Sequence, residues 1–326
     1  MKPIRSYYDC PQIMRDFLFY MLTIRGRSPK TVDAYYIDLR TFFRFIKGYK
    51  VLKALPEDLA QLSIEDLTTD TICSITLSDV YEFLNYLQTS RGNEATTRSR
   101  KVSAIRSFFK YLTTKTNLLE ENPVKDLEVP AVRKSIPKYL NLEESKLLLS
   151  VVDGKQKERD YCMITLLLNC GMRLSELVGI NLDSIRDDTV RLLGKGNKER
   201  IIYLNEACVD ALAAYLKVRK IPKKETDRYA LFLSAQGRRV SPRRVEQIVE
   251  ENLKKAQLSG RGYSPHKLRH TAATLLYQHG NVDIRILKEI LGHANLGTTE
   301  IYTHISDKQL EKAAAASPLA KEKGDK

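Results

Sequence analysis

The chain has 326 residues, of which 43% are hydrophobic and 29% charged, and its formal net charge is +14. That length buries one large core or two ordinary ones, and the absence of any run of 18 or more apolar residues excludes a transmembrane helix. The excess of Lys and Arg, shared by both halves, points to a polyanionic partner.

Taken in chain order, the first part reads as helices. One runs roughly from Pro11 to Ile24. Ser28-Pro29 opens another, with a serine N-cap and proline at the first helical position. Val32, Tyr35, Tyr36, Leu39, Phe42, Phe43 and Ile46 then recur at helical spacing, and Gly48 is expected to end the helix. The segment from Lys53 to Ser74 reads as an extension. Thr76 to Asp79 forms a capping box before Val80, Phe83, Leu84 and Leu87. The helix from Glu94 to Leu112 buries Val102, Ile105, Phe108, Phe109 and Leu112. Its other side, with Arg98, Arg100, Lys101, Ser103, Ser107 and Lys110, mixes cations with small hydroxyls, as a phosphate-facing surface does.

Prolines 123, 130 and 137 then break the periodicity. The spacing predicts a helical domain over 1–117, an extended linker over 118–138 and a second domain over 139–326. In that second domain Asn141 caps a helix with Glu144, and an apolar helix from Glu158 to Asn169 ends at Cys170-Gly171. A hairpin follows: Thr189 to Leu193, a Gly-Lys-Gly-Asn-Lys turn, and Arg200 to Leu204. Next come a helix from Asn205 to Arg219, an expected third strand over Ala230 to Ser234, and further helices. The fold class is therefore mainly α with a small antiparallel sheet.

All five histidines lie between His266 and His304. His266 and His270 have the spacing of a helical metal pair, but no cysteine lies near and Arg269 between them repels a cation, so no metal is expected. The five cysteines are scattered without a CxxC, as in a protein with reduced thiols, and MKPIRSYYDC lacks a secretory apolar stretch. A cytoplasmic location is expected. His266 and Arg269, at i and i+3 behind Ser264-Pro265, point the same way and suit an anion. Arg173 follows a buried helix, where Glu176 stands one turn away to orient it. Lys195 sits at the hairpin tip between two glycines.

Together these segments carry a resemblance. GMRLSEL around Arg173, GKGNKER around Lys195, SPHKLRHTAAT around His266 and Arg269, and LGHANLGTTEIYTH around His293 and Tyr302 are similar, in order, to the signature boxes of the tyrosine recombinase (phage integrase) superfamily, and most similar to its bacterial Xer-type members. The resemblance implies a SAM-like core-binding domain, a catalytic domain of the DNA breaking-rejoining fold, and catalysis by Arg173, Lys195, His266, Arg269, His293 and Tyr302. Tyr302 would be the nucleophile and Lys195 the proton donor to the leaving oxygen. It also implies a homotetramer or heterotetramer on paired duplex sites, joined through the C-terminal helix.

The chemistry fits the residue types. Cleaving a phosphodiester without a metal needs fixed cations at the non-bridging oxygens, a positioned nucleophile and a proton donor. Two arginines, a tyrosine and a lysine supply them, and no cofactor is expected. The partner is double-stranded DNA, with no membrane. Candidate phosphate contacts are Lys30, Arg98, Arg100 and Lys101 in the first domain and Lys198, Arg200, Arg243 and Arg244 in the second. The expected task is Xer-like chromosome dimer resolution. Integration of a mobile element, a type IB topoisomerase-like activity, and DNA binding without catalysis are the alternatives. His270 is expected on the core side of its helix, and His279 and His304 in structural roles.

Overall fold

Apolar residues spaced three and four apart build the first part of the molecule. In a computed structural model, which describes residues 7–130, 138–193, 199–280 and 282–292, the chain divides into two compact units, Met1–Lys134 and Ser135–Lys326. In the first, α1 (Gln12–Phe19) runs on into a π-helical turn, Tyr20–Ile24. Helix α2 (Pro29–Ile46) starts where the Ser28 hydroxyl accepts the Thr31 N–H. Helices α3 (Thr69–Cys73), α4 (Leu77–Thr89) and α5 (Ala95–Thr114) follow. Thr76 and Asp79 form both arms of the capping box at α4, which satisfies two otherwise orphaned N–H groups.

The α2 and α5 stripes meet in an aromatic core. Phe108 packs edge-on against both Phe17 and Phe43, with ring centroids 5.4 Å apart in each pair. Each such fully buried ring contributes roughly 2–3 kcal/mol of transfer free energy.

Three expectations for this unit are corrected. Gly48 does not stop α2: the helix widens into a π turn, Lys47–Val51, and the chain folds back over the buried glycine, whose carbonyl accepts the Ala54 N–H at 3.0 Å. A Cβ on Gly48 would stand 3.0 Å from Leu55 Cδ2 and 3.2 Å from the Ala54 carbonyl oxygen, so a side chain there would crowd the fold-back. Part of the expected linker belongs to this unit, because Val124 and Leu127 are buried in its core. Lys101 is not on an exposed face. It is buried, and its Nζ donates to Asp38 Oδ1 at 3.0 Å.

The second unit is arranged around one helix. Asn141 and Glu144 cap α6 (Leu142–Ser150) reciprocally. Helix α7 (Lys157–Cys170) is buried on nearly every side, packed by α6, α9 (Glu206–Val218) and α11 (Pro265–His279). Gly171 ends α7 in the left-handed region at φ +57°, and α8 (Leu174–Gly179) begins three residues later. The sheet is antiparallel in the order β1 (Ile185–Arg186), β2 (Thr189–Leu193), β3 (Glu199–Tyr203), with Val190 opposite Ile202 and Leu192 opposite Arg200. Helices α10 (Pro242–Lys255) and α12 (Ile284–Leu291) complete the unit.

The third strand is therefore Ile185–Arg186, not the expected Ala230 to Ser234. That segment is buried on both faces and makes only isolated bridges. Side chains share in holding its backbone: the Leu231 carbonyl accepts from Tyr215 Oη at 3.1 Å and Arg219 Nε at 3.0 Å, and the Leu233 N–H donates to Tyr215 Oη, while the Leu231 N–H donates to the Ile180 carbonyl at 3.0 Å. Those bonds take the groups a ladder would use. Among the described residues, no helix is long and apolar enough to cross a membrane.

Candidate active site

The site grows from the end of α7. Gly171 turns the chain in a conformation that costs a side-chain residue strain, and a Cβ there would lie 2.8 Å from Leu291 Cδ2. The turn brings Arg173 to the N-cap of α8. Its own N–H donates to Glu176 Oε2 at 2.7 Å and its Nη1 to Glu176 Oε1 at 2.7 Å, while Nη2 donates to the Gly292 carbonyl at 2.9 Å.

From α11, Arg269 reaches the same place. It is only 3% exposed. Its Nη1 donates to the Gly171 carbonyl at 2.7 Å, its Nη2 to the Leu291 carbonyl at 2.5 Å, and it stands 3.9 Å from Glu176 Oε2. From β3 comes a third guanidinium: Arg200 grips both Glu176 oxygens, at 2.7 and 2.9 Å.

One buried carboxylate thus holds three arginines, and the cluster keeps an excess of two positive charges. Glu176 is the reason they coexist, since guanidinium groups stay charged even when buried. Burial lowers the pKa of Arg200, with Glu176 opposing that shift. The three differ in what they present. The side chains of Arg200 and Arg269 are 14% and 3% exposed, whereas that of Arg173 is 34% exposed. Arg173 presents the most exposed guanidinium of the three, and Arg200 and Arg269 lie deeper.

His266 lies one turn before Arg269 on α11 and is exposed. Its Nε2 is 3.2 Å from Nε2 of His270, with the rings edge to face at 4.6 Å. Burial lowers the pKa of His266, and the cations Lys267, Arg269 and Arg173 lower it further. Burial pushes His270 down to about 4, with His266, Lys267 and Arg269 adding to the effect. Both shifts favour the uncharged imidazole. His270 is half-buried and pairs with His266 rather than facing away from it.

The structure brings together Arg173, His266 and Arg269. Lys195, Lys198, His293, Tyr302 and His304, and the C-terminal helix, lie outside the described residues. Of the other expected phosphate contacts, Lys30 and Arg243 are exposed; Arg243 pairs with Glu246 at 3.3 Å. Arg98 donates to the Asn93 carbonyl at 2.6 Å and Arg244 pairs with Glu251 at 2.8 Å. Arg100 is half-exposed and pairs with Asp38. Lys101 and Arg200 are corrections: each is turned inward onto a buried carboxylate. Among the described residues, no three His, Cys, Asp or Glu side chains gather as metal ligands would.

Three guanidiniums gathered on one buried carboxylate, with His266 one turn from Arg269, on an α-rich unit with a three-stranded sheet, have the make-up of a phosphodiester-handling site such as tyrosine recombinases carry. The comparisons make this specific. Residues 138–309 match the phage integrase family and residues 14–116 the phage integrase N-terminal SAM-like domain. The chain belongs to the phage integrase family; it is a Xer-like tyrosine recombinase, a site-specific enzyme that cuts and rejoins DNA.

Among its relatives is a tyrosine recombinase XerC of Caldanaerobacter subterraneus subsp. tengcongensis, 50% identical over 96% of this chain and 88% of that protein. A tyrosine recombinase XerD of Halalkalibacterium halodurans is 32% identical over 90% of this chain and 93% of that protein. The fold is similar to that of a XerH site-specific recombinase in a post-cleavage complex with a palindromic difH substrate, with a TM-score of 0.71 at 22% identity, covering 96% of this chain and 91% of that one.

Proposed function

We propose that Arg173, Lys195, His266, Arg269, His293 and Tyr302 carry out strand cleavage. The Tyr302 phenol attacks the scissile phosphorus, and the bond from phosphorus to the 5′-oxygen breaks. The phenolic proton passes to neutral His266, and Lys195 protonates the departing 5′-oxygen. The products are a 3′-phosphotyrosyl link and a free 5′-hydroxyl. Arg173 and Arg269 stabilise the charge on the non-bridging oxygens, and His293 donates a hydrogen bond to one of them. Reversal by a second 5′-hydroxyl joins a new strand without an energy source.

The observation that carries this reading is the convergence of Arg173 and Arg269, 96 positions apart, on Glu176, with Arg173 left facing out. Double-stranded DNA is the substrate. The first unit and Lys30, Arg98, Arg100, Lys198, Arg243 and Arg244 supply phosphate contacts. The working assembly is a homotetramer or heterotetramer on two duplexes, linked through the C-terminal helix. Its task is chromosome dimer resolution in the cytoplasm, as the similarity to XerC proteins over nearly the whole chain suggests.

A nicked suicide duplex carrying the recombination site tests the chemistry. Wild type should form an SDS-resistant protein–DNA adduct and Tyr302→Phe none. Arg173→Ala should slow adduct formation on the order of 10³-fold while leaving DNA affinity nearly intact. An adduct in Tyr302→Phe, or equal losses of cleavage and binding in Arg173→Ala, refutes these roles.

A further inference from the structure

Arg200 stands where a DNA-facing residue would be expected, two positions beyond the hairpin turn, yet its contacts run the other way. Both of its terminal nitrogens are committed to Glu176: Nη1 to Oε1 at 2.7 Å and Nη2 to Oε2 at 2.9 Å. Its Nε is buried and has no hydrogen-bond partner among the described residues. With a side chain 14% exposed and its fork turned onto Glu176, Arg200 presents its guanidinium inward rather than to solvent.

The same guanidinium lies against the second anchor of Arg173. The Gly292 carbonyl accepts Arg173 Nη2, and a Cβ built on Gly292 would lie 2.6 Å from Arg200 Nη1 and 3.2 Å from its Cζ. Arg200 therefore binds one of the groups that aim Arg173, the Glu176 carboxylate, and fills the space beside the other, Gly292. It also shares the carboxylate's charge. Oε1 accepts from Arg173 and Arg200 alike, so Glu176 does not neutralise Arg173 alone.

We propose that Arg200 is a positioning residue for strand cleavage. It holds Glu176 and Gly292 so that Arg173 points outward with undiminished positive charge. This rests on the reading that Arg173 meets the scissile phosphate. Lysine should not substitute, because an ammonium cannot span both carboxylate oxygens as a planar fork does.

The test separates the rate of adduct formation at saturating suicide duplex from the affinity for that duplex. Arg200→Lys and Arg200→Met are compared with wild type and Arg173→Ala, and affinity is measured across a salt series. Both Arg200 variants should lose about 10²- to 10³-fold in the rate constant, with affinity and its salt dependence unchanged. Arg200→Lys, which keeps the charge and removes only the fork, keeps the test decisive if Arg200→Met does not fold.

Three results overturn the proposal. One is weakened affinity with a salt slope smaller by about 0.9 and rescue by lysine, the signature of a phosphate contact. The second is a lowered melting temperature with a normal rate per folded molecule. The third is a normal rate in Arg200→Met beside a slow Arg173→Ala. A wild-type rate in Arg173→Ala itself refutes the underlying reading of Arg173, and the proposal falls with it.

Discussion

Each unit of this recombinase buries a carboxylate beneath cations, and the two clusters are put to different use. In the first unit Asp38, on α2, is fully buried and binds Lys101 and Arg100 from α5. Two helices are pinned, Lys101 is sealed inside, and only Arg100 reaches solvent. In the second unit Glu176 binds Arg173 and Arg200 and lies 3.9 Å from Arg269, so three elements are pinned: the start of α8, β3 and α11. One further donor of Arg173 goes to the Gly292 carbonyl, and two of Arg269 go to the carbonyls of Gly171 and Leu291. The second cluster holds one cation more, so it keeps an excess of two positive charges where the first keeps one.

The comparison is broken most directly at Glu176. Glu176→Gln keeps the shape but leaves three guanidiniums without a counter-charge. Breaking such a buried arrangement costs roughly 3–5 kcal/mol. Chemical denaturation should show a loss of that order, and adduct formation by the molecules that remain folded should fall at least about 10²-fold as Arg173 loses its anchor. A normal rate per folded molecule would mean that Glu176 is only a packing residue like its counterpart.

Asp38→Asn gives the matching control, with an effect confined to stability. It strands Lys101 inside the first unit, where burial already lowers that lysine's pKa and Asp38 alone works strongly against the shift. Unfolding should become easier by about 3 kcal/mol. Cleavage at saturating DNA, corrected for the folded fraction, should not change. A cleavage defect comparable to that of Glu176→Gln would erase the distinction drawn between the two clusters.

Local chemistry was legible in the sequence. The caps at Ser28, Thr76 and Asn141 form as their spacing requires, because the partner N–H lies three residues away. The Arg173–Glu176 pair was readable for the same reason. What a one-dimensional reading loses is the inward cation whose partner is far along the chain: Asp38 lies 63 positions from Lys101, and Glu176 lies 24 from Arg200.

Even these left a trace. Lys101 lies four residues before Ile105 and seven before Phe108, on the buried stripe of α5. Arg200 alternates with the buried Ile202 on β3, so period two already turns it inward. An inward charge demands a buried counter-charge, and that demand is a stronger guide than the charge itself. The Ala230 to Ser234 segment misled for a different reason. A short run of uniformly apolar residues carries no alternation, and side chains rather than a neighbouring strand claimed its backbone.

The smallest predicted effect concerns pH, and it again separates the units. All five histidines lie beyond His266 or at it, so the first unit contains none. In its place are carboxylates such as Asp66 and Asp79, whose pKa values lie below the usual 3.8 because Lys47 and Lys50 hydrogen-bond them; their stabilising effect is lost only as pH falls below that value. In the second unit His270 is held at about 4, far below its ordinary 6.5. The unfolded chain therefore binds this proton between pH 6.5 and 4 while the folded chain refuses it, and stability falls as pH drops through that window. His270→Gln keeps a hydrogen-bonding side chain beside His266 but cannot titrate. Burial raises the pKa of Asp160, which works in the opposite sense, but the substitution leaves that group alone, so the difference between variant and wild type isolates the imidazole. Wild type should lose on the order of 1–2 kcal/mol more than His270→Gln between pH 7 and pH 4, once solvent screening of a half-buried group is allowed for. Parallel stability curves for the two proteins would show that His270 takes up its proton in the folded state as readily as in the unfolded one.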